Sequence, residues 1–307
     1  MKHIFETPHD GNYYFGYYDK SPFSKDGTKI LAIKTNFIDR IPDKNDIAEI
    51  GYFKLMSEER SFVRIGVTKT FNWQQGAMLH WLGDRNSKVI FNDLRDGAFV
   101  SLIVDIKTKE EVILPMAIYS LSSDSTFAIC VDNERLHWCR RGYSYDGISN
   151  ESKNKPVVPT ESIYRLDIET KELKEIINIK TILDFKPISN MLGGVHYLEH
   201  TMISPSDKRL AFLHRWKLKD GGTNTRLFTV NIDGTDLRLL NDSGRMSHFC
   251  WKDEETIFGW GGIPNSINSL RKSSKVVNLI IKPLLPIYKR IVKGNADSGV
   301  SIISSLV

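Results

Sequence analysis

The feature that most constrains the fold of this chain is a repeated pair of short apolar strands. Each copy is an apolar segment, a turn rich in Ser, Pro, Asp, Gly and Lys, and a second apolar segment. Five copies occur, at Ser21–Ile33, Leu79–Phe91, Tyr119–Val131, Met202–His214 and Phe249–Trp260. Equivalent positions are 40 to 58 residues apart, with one gap of 82. A period of this size indicates one supersecondary unit repeated along the chain.

A second unit follows most copies of the first and alternates apolar and polar residues, as half-buried strands do. Its copies are Ser101–Leu114, Ile163–Ile176 and Leu227–Leu240. Asp105, Asp167 and Asn231 fall at the end of the first strand, where their side chains can bond to the turn backbone. An inner pair and an outer pair of strands together make the four-stranded antiparallel blade of a β-propeller. We therefore predict an all-β propeller with about five visible blades.

Five blades are fewer than the six or seven that we expect for such a ring. The tail at Val300–Val307 is an apolar run typical of a strand that is just beginning. We predict a single propeller domain over residues 1–307 that lacks its C-terminal blades. The alternative is a compact five-bladed ring in which Val300–Val307 closes against the first blade.

Composition and charge restrict the compartment and the partners. The net charge of +5 is spread over short segments rather than gathered into a basic stripe, so nucleic acid is not indicated. An anionic small ligand or glycan remains open, because a positive pocket needs only a few basic side chains. Three cysteines without metal-ligand spacing predict buried free thiols. With no apolar leader at the N-terminus and charged residues and prolines within Val276–Val292, we expect a cytoplasmic protein without a transmembrane segment.

Histidines at the ends of inner strands are the residues most suited to chemistry. The set is His80, His196, His200, His214 and His248. An imidazole can bind a metal or carry a proton near neutral pH. His196 and His200 are four positions apart, and this even spacing would place both on one face of a strand. The alternative is that each histidine only satisfies hydrogen bonds between blades.

The segments LEHTMISPSDKRLAFLHRW, LFTVNIDGTDLRLL and SHFCWKDEETIFGW resemble the middle blades of oligogalacturonate lyase. The start, NYYFGYYDKSPFSKDGTKILA, resembles the first blade of that family. The resemblance covers about two thirds of the chain and extends to the TolB-type and WD40-like propellers. It implies a cytoplasmic, manganese-dependent enzyme that cleaves unsaturated digalacturonate by β-elimination.

The resemblance also implies roles for three histidines. His200 and His214 match family residues near the reacting sugar, so both are catalytic candidates, although Arg215-Trp216 stands where the family has Glu-Gly. His248 matches a manganese ligand. The remaining family ligands, a Gln and two His, belong to a later blade that this chain does not reach. The implied manganese site is therefore incomplete in this chain.

Substrate-binding candidates are Arg140, Arg141, Tyr18 and His196. A guanidinium binds a uronate carboxylate with two hydrogen bonds, and neighbouring tyrosines such as Tyr143 and Tyr145 can stack on sugar rings. In the aromatic run Asn12–Asp19, alternation assigns Tyr14, Tyr18 and Asp19 to an accessible face and the other rings to the core. The alternative is a solvated loop flank at the arginines and core packing of the tyrosines.

Two classes of function follow from these residues. The first is a protein that binds or acts on an acidic oligosaccharide, with β-elimination as its reaction. The second is a non-catalytic scaffold that binds a protein or a polysaccharide in bacterial surface-glycan biosynthesis. Further His or Gln ligands in a longer natural chain would favour the first class.

Overall fold

The computed structural model of the chain describes residues 5–57, 59–148, 152–153, 155–262 and 300–304. Within these ranges the chain forms five antiparallel sheets and a few short helical segments. It divides into two compact units. The first unit is Met1–Lys153 with Ser162–Glu175, and the second is Asn154–Glu161 with Ile176–Val307. A single propeller domain over the whole chain stays a prediction.

Four strands, paired in chain order, make each of the first three sheets. The first sheet contains β1 (Asn12–Tyr14), β2 (Lys29–Thr35), β3 (Ala48–Lys54) and β4 (Val63–Thr68). The second contains β5 (His80–Leu82), β6 (Lys88–Arg95), β7 (Ala98–Asp105) and β8 (Glu111–Leu114). The third contains β9 (Ile118–Leu121), β10 (Phe127–Cys130), β11 (Ser162–Asp167) and β12 (Leu173–Asn178). The predicted all-β fold with four-stranded antiparallel blades is confirmed.

The last two sheets follow the same order of strands. The fourth contains β13 (Val195–Ile203), β14 (Arg209–Lys217), β15 (Thr223–Asn231) and β16 (Arg238–Asn241). The fifth contains the described strands β17 (Met246–Trp251), β18 (Thr256–Gly261) and β19 (Val300–Ser304). The predicted C-terminal strand therefore exists, and β19 is hydrogen-bonded to β18 in the fifth sheet rather than belonging to the first sheet.

The repeat has a physical cause in the turn of each inner hairpin. Ser24 Oγ donates to Asp26 Oδ1 at 2.6 Å, and Lys29 N donates back to Ser24 Oγ at 3.0 Å. Two sheets later, Ser122 Oγ donates to Asp124 Oδ1 at 2.8 Å in the same arrangement. Such side chains close a tight turn without help from distant residues. Local turn chemistry therefore sets where each hairpin reverses.

The outer hairpins use the predicted Asx turns. Asp105 Oδ1 accepts from the backbone N–H groups of Lys107 at 2.8 Å and Thr108 at 3.0 Å. Asp167 Oδ1 accepts the equivalent bonds from Glu169 and Thr170. These backbone donors lower the pKa of both aspartates. The predicted hydrogen bonds from the turn backbone to Asp105 and Asp167 are thus confirmed.

Each unit has its own hydrophobic core. In the first unit, Ile33, Ile50, Trp81, Phe91 and Leu102 are among the buried residues that join the first two sheets. In the second unit, the fourth and fifth sheets pack through Leu213, Leu227, Met246, Phe249 and Ile257. The inward positions of the alternating pattern are thus buried, as a two-residue period requires.

Short helical segments interrupt the sheets at α1 (Asn133–Cys139), α2 (Ile179–Asp184) and a 3-10 turn over Ser189–Met191. Asp132 caps α1 by accepting from Arg135 N at 2.8 Å. Two turns of helix are too short to show a helical period in the sequence, so α1 was not predicted. Among the described residues no helix is long and apolar enough to cross a membrane. The segment Val276–Val292 lies outside those residues.

The cysteines are free, as predicted, but only two of them are buried. Cys130 and Cys139 lie in the core of the first unit, and burial raises the pKa of Cys130. Cys250 is exposed, which corrects the prediction of three buried thiols. It occupies an outward position of β17, where alternation turns its side chain away from the core.

Candidate functional site

Two of the predicted site histidines meet in the interior of the second unit. His196 on β13 and His214 on β14 are stacked, with 5.2 Å between their ring centroids. His196 Nδ1 lies 3.0 Å from His214 Nε2. His214 is directly opposite Arg226 on β15, whose Nη2 lies 3.3 Å from His214 Nδ1. The three side chains form one buried relay, which we call the histidine relay.

The hydrogen-bond partners of the histidine relay determine which ring nitrogens carry a hydrogen. Met191 O, 2.8 Å from His196 Nε2, can only accept a hydrogen bond, so Nε2 of His196 carries a hydrogen. The neutral ring then accepts at Nδ1, and the donor is Nε2 of His214. Nδ1 of His214 in turn accepts from Arg226. Both imidazoles are therefore neutral Nε2–H tautomers with every ring nitrogen occupied.

Arg226 connects this relay to helix α2. Its guanidinium donates to the carbonyl oxygens of Ile182 at 2.9 Å, Phe185 at 3.1 Å and Lys186 at 3.0 Å. These carbonyls lie at the C-terminal end of α2, where helix acceptors lack partners within the helix. Burial lowers the pKa of Arg226 to about 10. Burial first, and then the charge of Arg226, holds the pKa of His214 well below its usual value.

A second polar group on β13 and β14 contains His200. Glu199 and Arg215 form a buried ion pair. His200 Nδ1 lies 3.5 Å from the second oxygen of Glu199, and only 6% of His200 is exposed. We call Glu199, His200 and Arg215 the His200 group.

The backbone at His200 departs from a regular strand. The register of β13 against β14 shifts between Glu199 and Met202, which marks a β-bulge. His200 adopts a φ of +53°, a left-handed conformation that is uncommon for residues other than Gly. The expectation that His196 and His200 share one face fails here, because the bulge interrupts the two-residue alternation. His196 joins the histidine relay, and His200 lies against Glu199.

His248, the predicted manganese ligand, is exposed on β17. Its Nδ1 lies 3.1 Å from Ser247 Oγ. Nowhere in the described ranges do three or more His, Cys, Asp or Glu side chains come together as a group that could hold a metal ion. The described residues therefore do not assemble a manganese site, and we derive no chemical step through the metal.

The remaining binding candidates lie in the first unit. Arg140 is the C-cap of α1, and its guanidinium carbon lies 3.5 Å from the centroid of the Tyr143 ring. Tyr18 is 50% exposed, as predicted, and its ring contacts that of Tyr17 at a centroid distance of 4.4 Å. Arg141 is exposed. Arginine and aromatic side chains are thus adjacent here, the combination expected for a uronate.

Of two tyrosines predicted to be accessible, Tyr145 is buried instead and Tyr14 is partly buried. Tyr145 is in the core and its hydroxyl accepts from Asn92 Nδ2 at 3.0 Å. Tyr14 packs edge-on against Trp73, 5.2 Å between centroids, and burial raises the pKa of Tyr14. Asn12–Tyr14 is short and followed by irregular chain, so strict alternation does not extend through the aromatic run.

Sequence reasoning missed the carboxylate of the His200 group. Glu199 stands between two candidate histidines, but a single glutamate in a strand gives no signal of an ion pair. Arg215 was noted only as a departure from the lyase pattern. Their pairing depends on two strands being aligned so that Glu199 is opposite Leu213 and Arg215 is opposite Tyr197 on the same face.

Comparison with solved structures decides the architecture. An oligogalacturonate lyase in complex with manganese is 16% identical and has a TM-score of 0.52, covering 84% of this chain and 65% of that chain. The fold is a β-propeller. The lyase from Vibrio parahaemolyticus is also 16% identical, with a TM-score of 0.50 over 83% of this propeller and 61% of the lyase. TolB from Acinetobacter baumannii is 12% identical, with a TM-score of 0.44 over 82% and 52% of the two chains.

The similarity to the two lyases confirms the resemblance to lyase-like propellers at the level of the fold. This propeller spans 65% and 61% of the lengths of the two lyases. No protein-family model matches the chain. No curated protein matches it either. What the lyases bind and cleave is therefore a property of those proteins and enters here only as a proposal.

Proposed function

We propose that this propeller binds an acidic oligosaccharide and cleaves it by β-elimination, with His200 as the group that moves the proton. The observation that carries the proposal is the His200 group, in which a buried carboxylate with its own arginine partner lies 3.5 Å from an imidazole. The left-handed backbone of His200 supports it as well, because strained conformations are concentrated at functional sites.

The His200 group suits proton transfer for a chemical reason. Glu199 lies beside Nδ1 of His200, which favours the tautomer with the hydrogen on Nδ1. In the proposed step Nε2 of His200 takes the proton from C5 of the uronate, the electron pair of that C–H bond forms the C4=C5 double bond, and the C4–O bond breaks while water protonates the departing oxygen. Arg215 holds the negative charge of Glu199 in place, so the carboxylate orients the ring without taking the proton itself. The substrate would have to approach the small part of the ring that is exposed.

Elimination beside a uronate carboxylate also requires a positive group, because negative charge develops on that carboxylate in the transition state. Manganese supplies this charge in the mechanism implied by the resemblance. In the His200 group the cation is Arg215, which is paired with Glu199. Binding of an acidic sugar at Arg140, Arg141 and Tyr18 of the first unit is a separate part of the proposal, and Arg140 beside Tyr143 combines charge with an aromatic plane there.

The proposal is tested by incubating the protein, with and without manganese, with oligogalacturonate and unsaturated digalacturonate. Release of product is followed by the ultraviolet absorbance of unsaturated uronates and by mass spectrometry. We expect His200→Ala to slow product release by about 100-fold. Glu199→Gln should slow it by about 10-fold and shift the pH profile, because the ring loses its orienting charge. The matched control is His9→Ala, at an exposed histidine that belongs neither to the histidine relay nor to the His200 group.

A non-catalytic scaffold is the second candidate, and the histidine relay favours it. Both ring nitrogens of His214 are occupied by internal hydrogen bonds, so this histidine serves the interior of the fold. A scaffold would bind an acidic polysaccharide and release no unsaturated product. Saturable binding that is unchanged in His200→Ala, together with no product at any manganese concentration, would overturn the enzymatic proposal in favour of the scaffold.

A further inference from the structure

The first unit contains a buried lysine that the proposed chemistry does not use. Lys20 follows β1, and only 2% of its side chain is exposed. Its ammonium lies 2.9 Å from each carboxylate oxygen of Asp19. It also lies 5.9 Å from the centroid of the Tyr119 ring on β9. A desolvated ammonium is costly to bury, so a lysine in this position is expected to serve a ligand or a structural charge.

A rigid loop before β5 places a glutamine against the same tyrosine. Asn72 and Gly76 exchange backbone hydrogen bonds, and Asn72 Oδ1 accepts from Gln75 N at 2.8 Å. Gln75 is 0% exposed, and its Nε2 donates to Tyr119 Oη at 2.5 Å. Its Oε1 has no hydrogen-bond partner among the described residues. A buried carbonyl oxygen without a partner costs free energy, and a hydrogen-bond donor on a bound ligand would remove that cost.

His80 at the start of β5 is the third member of this region. Its Nε2 is buried and, within the described ranges, has no hydrogen-bond partner. Burial first, and then the positive charge of Lys20, lowers the pKa of His80 to about 3. The imidazole is therefore neutral at physiological pH and keeps a nitrogen available for a hydroxyl group. We call Lys20, Gln75, His80 and Tyr119 the Lys20 site.

The charges around the Lys20 site favour an anion. Lys20 and Arg85 lower the pKa of His80, and Asp19 opposes them. Arg140 and Asp19 act in opposite directions on the pKa of Tyr17. The cations that act on these two groups are Lys20, Arg85 and Arg140, and the carboxylate is Asp19. Neighbouring cations raise the local concentration of anionic ligands.

Aromatic side chains extend from this region to the surface. Tyr17 contacts the exposed ring of Tyr18, and it is close enough to Tyr143 and Asp19 for both to influence its pKa. Arg140 covers the Tyr143 ring. The exposed Tyr18 and the partly exposed Tyr17, Tyr143 and Arg140 form a rim of aromatic and cationic side chains beside buried polar groups. Sites that orient a ligand by a few placed polar atoms have this composition.

We propose that the Lys20 site binds the terminal acidic sugar of the ligand: Lys20 holds its carboxylate, Gln75 Oε1 accepts from a hydroxyl, and the rim at Tyr18 and Arg140 contacts the next ring. That the ligand is a uronic acid rests on the proposed function. The Lys20 site adds where its charged terminal sugar binds and which side chains contact it.

The direct test is a titration of the full chain with galacturonate, followed by NMR of the histidine ring protons. The His80 resonance is assigned by its loss in His80→Asn. We expect a saturable shift of the His80 signal with galacturonate, a much smaller one with neutral galactose, and none at the exposed His248. Equal shifts with both sugars, or no shift at His80, would overturn the inference whatever the variants do.

Variants separate this inference from the proposed function. Lys20→Gln removes the buried charge and should weaken binding of oligogalacturonate by about 10-fold or more, as loss of a charged hydrogen bond does. Lys29→Gln, which removes a partly exposed lysine nearby in the chain, should leave binding unchanged. If Lys20→Gln does not fold, Gln75→Leu, which removes the Oε1 acceptor assigned to the sugar hydroxyl, gives the same information. If the wild type binds oligogalacturonate and neither variant weakens that binding, the Lys20 site is overturned and the proposed function is not. If the wild type does not bind oligogalacturonate at all, both the Lys20 site and the proposed function are overturned.

Discussion

Nε2 of His214 lies 3.0 Å from Nδ1 of His196, and this contact makes two buried imidazoles each other's partners. Met191 O binds one end of the pair and Arg226 binds the other. Every polar atom of the relay is thus paired inside the second unit, where an unpaired group would cost the full free energy of its desolvation. The relay connects β13, β14, β15 and the end of α2.

Replacing His214 should reduce stability strongly. His214→Ala removes a side chain that is 0% exposed and takes away the hydrogen-bond partner of His196 Nδ1 and one acceptor of Arg226. We expect the free energy of unfolding to fall by about 3 kcal/mol, measured by urea denaturation. His9→Ala, at an exposed histidine, serves as the control. An unchanged denaturation midpoint for His214→Ala would contradict the structural role of the relay.

The geometry of Arg226 matters as well as its charge. Arg226→Lys keeps a positive charge but cannot donate to three carbonyl oxygens and an imidazole at once. We expect this variant to lose about 2 kcal/mol of stability and the amides of α2 to exchange hydrogen faster. Arg238→Lys, at a partly exposed arginine paired with Asp236, should change neither measurement. Full retention of α2 protection in Arg226→Lys would show that α2 does not depend on this cap.

Acid should destabilise the fold through its neutral histidines. The pKa of His80 is about 3 in the folded state, against 6.5 for an unperturbed histidine. The unfolded chain therefore binds a proton that the folded chain does not, so stability is lost as pH falls from 6.5 towards 3. Between pH 6.5 and 5, before carboxylates titrate, His80→Asn should reduce the slope by up to about 1.4 kcal/mol per pH unit. Identical slopes for wild type and His80→Asn would mean that His80 titrates normally.

Two glycines in turns should differ in their tolerance of alanine. Gly234 has a φ of +90°, and a Cβ there would lie 2.5 Å from Ile176 O. Gly27 has a φ of +68°, but a Cβ would meet nothing within 4 Å. Gly27→Ala should cost about 1 kcal/mol for the left-handed backbone alone, and Gly234→Ala clearly more. Thermal unfolding measures both, and equal losses would show that the backbone near Ile176 moves to accept the methyl group.

Manganese should bind this chain weakly, and through His248. His248, which matches a manganese ligand of the lyase family, is exposed, and the described residues bring no group of three metal ligands together. Electron paramagnetic resonance of free manganese gives the bound fraction. We expect low occupancy that His248→Ala abolishes without loss of stability, and that His9→Ala preserves. Tight, stoichiometric binding that survives His248→Ala would show that other residues hold the metal.

Local sequence signals are enough to define the blades. Turn residues such as Ser24, Asp26 and Asp105 act within a few positions of themselves, and alternation with a period of two assigns each strand its buried side, so both signals are local. The candidate sites, in contrast, depend on contacts between distant parts of the chain. A β-bulge at His200 interrupts the alternation, so His200 does not lie on the strand face expected from its spacing to His196. The pairs Glu199–Arg215 and His214–Arg226 each join residues of two different strands. Lys20, Gln75 and Tyr119 meet across 99 positions of the chain because three sheets of one unit bring them together, and no local pattern encodes such a meeting.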